Sequence, residues 1–245
     1  MSAPLIELKD TSFSAQDKAV VKNISLSFTE GETVALIGPS GGGKSTVLKL
    51  AAGLILPSKG NVFFREQDIA LMSRTQTLAF RKEAAFVFQD SALWANQTLR
   101  QILELPLMIH YPKMTQNQRT ARLTEVTAEV GYKKTLDIRP AQLSMGEQKL
   151  IAFARALVCS PRLLFLDEWT ESLDDSAARR LVNAVRRMQQ NDATIVFVSH
   201  NFKVIREVAQ KICMIVDGQL SMTITAEEFA ANDSLAKTIE KGIAL

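Results

Sequence analysis

Apolar positions fall along the chain in two rhythms. The runs "ISLSF", "GETVALIG", "GNVFF" and "AAFVF" are short and bounded by turn residues, the pattern expected of β-strands. Within them "TVALIG" is almost continuously apolar, which predicts a strand buried on both faces. It leads into the glycine-rich "PSGGGKST" and then into "VLKLAAGL", which is helical in spacing. Over 91–159 the rhythm changes. "LRQILELPLMIHY" and "TQNQRTARLTEVTAEV" carry helical periodicity and no strand signal, predicting a mainly helical insertion. Strands return in "RLLFLD", "ATIVFVS" and "KICMIV", with the helical "DSAARRLVNAVRRMQQ" and "NFKVIREVAQ" between them. "DGQL" predicts a hairpin turn into "SMTIT". Strands alternating with helices imply an α/β fold with a mainly parallel sheet.

Composition narrows this little. A chain of 245 residues with 47% hydrophobic and 22% charged residues suits one large globular domain or two small ones. A net charge of +3 is too small to argue for nucleic acid, and the pairs Arg179–Arg180 and Arg186–Arg187 read as the solvated face of one helix. Cys159 and Cys213 sit in apolar company and predict reduced thiols of a cytosolic protein. The start "MSAPLIELKD" lacks the form of a leader peptide. No run approaches the roughly 18 apolar residues of a membrane span. A membrane role is therefore expected only through partners.

The chemistry begins at "GPSGGGKST", which matches G-x-x-x-x-G-K-[ST] in full. Gly38, Pro39, Ser40, Gly41, Gly42 and Gly43 would turn successive N–H groups onto phosphate oxygens. Lys44 would reach the β- and γ-phosphates, Ser45 would ligate Mg²⁺, and Thr46 completes the loop. Further on, "RLLFLDE" delivers Asp167 and Glu168 at the carboxyl end of an apolar strand, where open α/β sheets bind ligands. Asp167 would support the Mg²⁺ shell and Glu168 would polarise an attacking water. "LSMGEQ", from Leu143 to Gln148, opens another apolar helical run and so offers a second anion site at a helix start.

That second site carries a resemblance. "LSMGEQ" resembles the L-S-G-G-Q signature of ATP-binding-cassette (ABC) ATPases, and the family's other motifs stand in order around it. Gln89 in "FVFQD" matches the Q-loop, Asp174 ends the D-loop "SLD", and His200 in "FVSH" matches the switch histidine. The resemblance implies a P-loop NTPase (RecA-like) core over 1–90 and 160–225, with an N-terminal antiparallel β-subdomain. It further implies a helical signature subdomain over 91–159 and a C-terminal helical tail over 226–245, all within one ABC ATPase domain, 1–245. Two such subunits pair head to tail around two ATP molecules with Mg²⁺, an isologous homodimer. Ser144 and the N–H of Gly146 would then meet the γ-phosphate bound by the partner. Gln89 would sense Mg²⁺ and water, and His200 would contact the γ-phosphate. The implied protein is the ATP-hydrolysing motor of a transporter, at the cytoplasmic face of the cell membrane, driving separate permease subunits. Leu93, Trp94, Leu99, Ile102 and Leu103 are offered as a permease groove or as subdomain core, with Trp94 the first choice for docking. The segment "DIALMSRTQTLAFRKEAAFVFQDSALWANQTL" also resembles the lipid-trafficking (Mla/Mce-type) subfamily, implying phospholipid or other hydrophobic cargo, and shares much with lipoprotein-release and peptide exporters. A purely regulatory ABC subunit is the alternative class. Long coiled-coil insertions and a second cassette, the marks of chromosome-maintenance and translation relatives, are not found in the sequence.

Three departures from the family pattern have consequences. Met145 and Glu147 replace a glycine and the glutamine of the signature, while Ser144 and Gly146 are kept. Trp169 follows Glu168 where proline is usual, so the loop toward Asp174 is expected to sit differently. Ala15 stands where an aromatic normally stacks on adenine, with Phe13 on the same face if the strand alternates strictly. Modest affinity and loose base selectivity follow. Calorimetry on the monomer should show comparable binding of ATP and GTP, and a submicromolar ATP Kd would contradict the expectation.

Overall fold

The computed structural model describes residues 3–231; the part of the expected tail beyond Ala231 lies outside them. Ten strands are present: β1 (Ile6–Ala15), β2 (Lys18–Phe28), β3 (Thr33–Ile37), β4 (Lys59–Phe64), β5 (Gln67–Asp68), β6 (Ala84–Val87), β7 (Leu163–Asp167), β8 (Thr194–Val198), β9 (Lys211–Val216) and β10 (Gln219–Thr225) among the described residues. The helices there are α1 (Lys44–Ala51), α2 (Arg74–Glu83), α3 (Leu99–His110), α4 (Gln116–Val130), α5 (Met145–Leu157), α6 (Asp175–Gln190), α7 (Phe202–Val208) and α8 (Ala226–Ala231). Two compact units divide the chain. One runs up to Thr77 and resumes at Asp192; the other is Leu78–Asn191.

In the first unit β3 lies between β8 and β9, parallel to both, and all five of its residues are buried. That is why "TVALI" carries no polar alternation: both faces of the strand are covered. β10 pairs antiparallel with β9 and alternates exposed with half-buried residues, as a strand with one wet face should. Asp217 (φ 49°) and Gly218 (φ 77°) make the turn between them, the left-handed pair that a two-residue hairpin requires. A separate antiparallel sheet runs β2-β1-β4-β5. Its long first hairpin starts well before "ISLSF" and turns at Gln16 and Asp17, both with positive φ. The sequence pattern hid it because the pairing shifts register three times, with an extra residue on β1 between Leu8 and Thr11 and on β2 between Val21 and Ile24 and between Ala19 and Val21.

In the second unit β6 and β7 pair in parallel, and α3, α4 and α6 pack around α5. The segment 91–159 is helical as expected, but the unit also holds both strands and α6. Leu99, Ile102 and Leu103 are buried in the core, whereas Trp94 is 46% exposed. Helix α2 had no sequence counterpart. It is mostly polar and buries one residue, Phe80, so it leaves little periodicity to detect. Trp169 is fully buried, its ring centroid 5.7 Å from that of Phe153 on α5. A proline there would have fixed φ; the indole instead fastens the turn after β7 to a helix by packing. Its Nε1 has no hydrogen-bond partner, a cost the ring's burial must exceed. Trp169→Ala should accordingly cost about 3–5 kcal/mol of stability, read as a lowered urea midpoint.

Candidate nucleotide site

The first unit builds a phosphate cradle where β3 stops. Gly38 follows the strand at φ 140°, and a Cβ there would lie 2.0 Å from the Ile215 carbonyl oxygen. Gly43 caps α1 at φ 98°, and a Cβ would come within 2.9 Å of the Val20 carbonyl. Any side chain at either position would push the loop off the strands behind it. No side chain caps α1, so its start presents the positive end of a helix to an anion. Lys44, buried, donates from Nζ to the carbonyls of Gly38 (2.9 Å) and Pro39 (2.8 Å), which holds the ammonium across the loop. The Gly218 N–H donates to the Gly42 carbonyl at 3.0 Å, and Lys22 N–H to the Gly218 carbonyl at 2.7 Å, so the β9–β10 turn braces the cradle. His200 follows β8, exposed, one residue before Asn201, whose side chain caps α7. Phe13 is half-buried on β1 and Ala15 exposed.

The second unit gathers the other predicted residues. Asp167 is the last residue of β7 and Glu168 the next, both buried. Glu168 has φ 44°, an uncommon value for a residue with a Cβ, of the kind found where function dictates the backbone. Its carbonyl accepts from the Glu171 N–H (3.2 Å) in a tight turn. Gln89, two residues past β6, donates from Nε2 to the Glu171 carboxylate at 3.1 Å. Lys149 on α5 donates to the carbonyls of Gln89 (2.7 Å) and Glu168 (3.1 Å). Burial lowers its pKa, while Glu171, Glu168, Asp167 and Asp90 act to raise it. Asp174 is the N-cap of α6, accepting from the Ala177 N–H at 2.8 Å.

The signature is a helix cap. Ser144 precedes α5; its Oγ accepts from the Glu147 N–H (3.2 Å), and the Glu147 carboxylate accepts from the Ser144 N–H (3.0 Å) and hydroxyl (3.1 Å). Lys134 Nζ lies 2.6 Å from the other Glu147 oxygen. That contact first, and the Ser144 N–H second, hold the Glu147 carboxyl below the ordinary carboxylate range. Met145 is 72% exposed and Gly146 lies within the first turn of α5. Sequence reading missed Lys149, Lys134, Glu171 and Arg155. The available signal was a lysine and an arginine inside the apolar "KLIAFARALV", where a cation needs a buried reason. The thiols are free: Cys213 is buried, and burial pushes Cys159 to about 11.

Comparison with known proteins agrees with this geometry. The ABC transporter family model matches residues 21–171. The nickel import ATP-binding protein NikE of Shigella flexneri serotype 5b is 37% identical over 231 residues, 93% of this chain and 84% of that one. NikE of Escherichia coli K12 is 34% identical over 93% of this chain and 87% of its own. Among solved structures, the dimeric post-hydrolysis ATP-binding cassette MJ0796, bound to ADP and Pi, superposes with a TM-score of 0.84 at 28% identity, covering 90% of this chain and 98% of that one. The cbiO1 subunit from Clostridium perfringens, at 22% identity and TM-score 0.78, shares the fold. Phosphate cradle, strand-end carboxylates and capped signature helix thus belong to a known architecture, and the chain is a member of the ABC transporter ATP-binding family, an ATPase of α/β P-loop fold that uses ATP with Mg²⁺.

Proposed function

We propose that this chain is the ATP-hydrolysing motor of an ABC importer, pairing with a second copy around two ATP molecules and driving a separate membrane permease. The observation that carries the hydrolytic part is Glu168: a buried carboxylate one residue past β7, on a left-handed backbone that fixes where it points. Glu168 acts as general base on the attacking water. Gln89 orients that water, Lys44 and the N–H groups of 40–46 hold the phosphates, and His200 contacts the γ-phosphate. Phe13 supplies what stacking the base receives. Ser45 and Asp167 would hold Mg²⁺ with help from Gln89. Hard oxygen donors few in number suit an ion that keeps waters and phosphate oxygens, and no cluster of three His, Cys, Asp or Glu is found among the described residues. When bound, Mg²⁺ neutralises charge on the transferred phosphoryl group. Ser144, Gly146 and Asp174 serve the partner's nucleotide.

Import is supported by the NikE relatives, similar over 93% of the chain and named for nickel import. The lipid cargo suggested by residues 68–99 finds no support among these relatives. Docking on the permease at the cytoplasmic face would attach the chain to the membrane, and among the described residues no helix is long and apolar enough to cross it. Isolation of the full-length chain from its own membranes in mild detergent should bring an importer-type permease with it. No membrane partner would overturn the transport reading, and a lipid-binding partner would replace the cargo.

Two variants test the site. Glu168→Gln should lower ATP turnover by about 10²-fold or more while trapping an ATP-bound dimer, visible by size exclusion. Glu147→Gln keeps the cap but removes a negative charge from a helix start that must face a phosphate. It should lower the ATP concentration needed for half-maximal dimerisation about two- to five-fold. Because the Glu147 pKa is depressed, the carboxylate stays charged at neutral pH, and the effect should be equal at pH 6 and pH 8. Its cap contribution is present above the unfolded pKa and disappears as pH falls through the lower folded value.

A further inference from the structure

Parallel strands β6 and β7 end side by side, and the chain leaves each of them through a residue assigned to hydrolysis. Beyond the last ladder bond, the carbonyls of Gln89 and Glu168 need donors from elsewhere. Both receive one from the same atom, Lys149 Nζ, at 2.7 and 3.1 Å. Lys149 is 4% exposed, the fifth residue of α5, whose N-cap is the signature serine. A second cation of the same helix, Arg155, donates to the carbonyls of Ser91 (3.1 Å) and Ala92 (2.6 Å), two residues with positive φ. Helix α5 thus holds the strand-end loop 89–92 at both ends. At Gln89 its grip extends to the turn after β7, which Gln89 also reaches through Glu171. Lys149 also borders a cavity of about 280 Å³ lined by Gln89, Met145 and Glu171 among others.

A buried lysine this placed is more than filler. An apolar residue would take the Lys149 donor from the Gln89 carbonyl and leave the Glu168 carbonyl only the weaker Glu171 N–H, and a neutral amide would leave Asp90, Asp167, Glu168 and Glu171 without the positive charge that acts on all four. It also secures the carbonyl of Glu168, the residue whose φ of 44° is held against its own preference. We propose that Lys149 is a positioning residue that couples the signature helix to hydrolysis: displacement of α5 as its capped end meets the partner's nucleotide is passed through Lys149 to the backbones of Gln89 and Glu168 together. The proposal rests on the reading of Glu168 and Gln89 given above. It assigns Lys149 no contact with ATP, so nucleotide binding and turnover should separate when it is changed.

Steady-state ATPase kinetics on the full-length chain, with melting temperatures, test this for Lys149→Met, Lys149→Arg and Glu168→Gln. Lys149→Met should lower kcat at least ten-fold with KM for ATP within about two-fold of the parent, since a displacement near 1 Å can cost about 10²-fold in rate. Lys149→Arg, which keeps the charge and the donors, should recover most of the loss. An unchanged kcat in Lys149→Met overturns the proposal, as does a loss in kcat that Lys149→Arg shares in full. Should Lys149→Met fail to fold, Lys149→Gln takes its place, with the same expected and overturning results. If Glu168→Gln turns over ATP like the parent, the hydrolytic reading itself has failed. A dead Glu168→Gln beside an unimpaired Lys149→Met condemns the coupling alone.

Discussion

A strand inside a parallel sheet has every backbone group engaged until it ends, and there the obligation passes to whatever comes next. The chemistry of this chain sits at such ends. Past β3 the backbone turns into a glycine loop and then a helix without a side-chain cap, so what faces outward is the positive end of a helix and the ligand is an anion. Past β6 and β7 the waiting groups are carbonyls, and the donor is a buried ammonium. Past β8 comes His200, then a capping asparagine. The same constraint yields opposite electrostatics at different strand ends, according to which backbone groups the turn leaves facing outward.

Helix α5 is the element in the second unit on which this converges. Its start is the signature cap, its interior is almost wholly buried, and Lys149 and Arg155 reach from it to backbone carbonyls rather than to carboxylates. Carbonyls hold a cation in place without neutralising it, so the charge remains available to the acidic groups around it. The Phe153–Trp169 contact adds a packing link from the same helix to the turn after β7. An aromatic where proline is usual has exchanged a local backbone restraint for a tertiary one.

The altered signature forms a closed helix cap. Glutamate closes the capping box through its two oxygens, one on Ser144 and one turned to Lys134. The helix start therefore keeps its shape, and the added negative charge is balanced by a lysine thirteen positions earlier in the chain. Membership in the family leaves the cargo open in physical terms, because the groups proposed to handle ATP carry no information about what a permease transports.

The linear order of residues determined the phosphate loop, the paired carboxylates, the signature cap and the buried central strand. Each is a local pattern: a backbone that only glycine allows, a strand buried on both faces, or a serine with an acid three residues on. The long β1–β2 hairpin and helix α2 escaped detection because bulges and a polar surface erase periodicity. Only the tertiary structure decided which groups answer one another across 60 residues or more, as Lys149 does Gln89 and Arg155 does Ser91. A hydrogen bond between distant segments has no period and no spacing, so nothing in the sequence announces it; it exists because two strands end together beneath one helix.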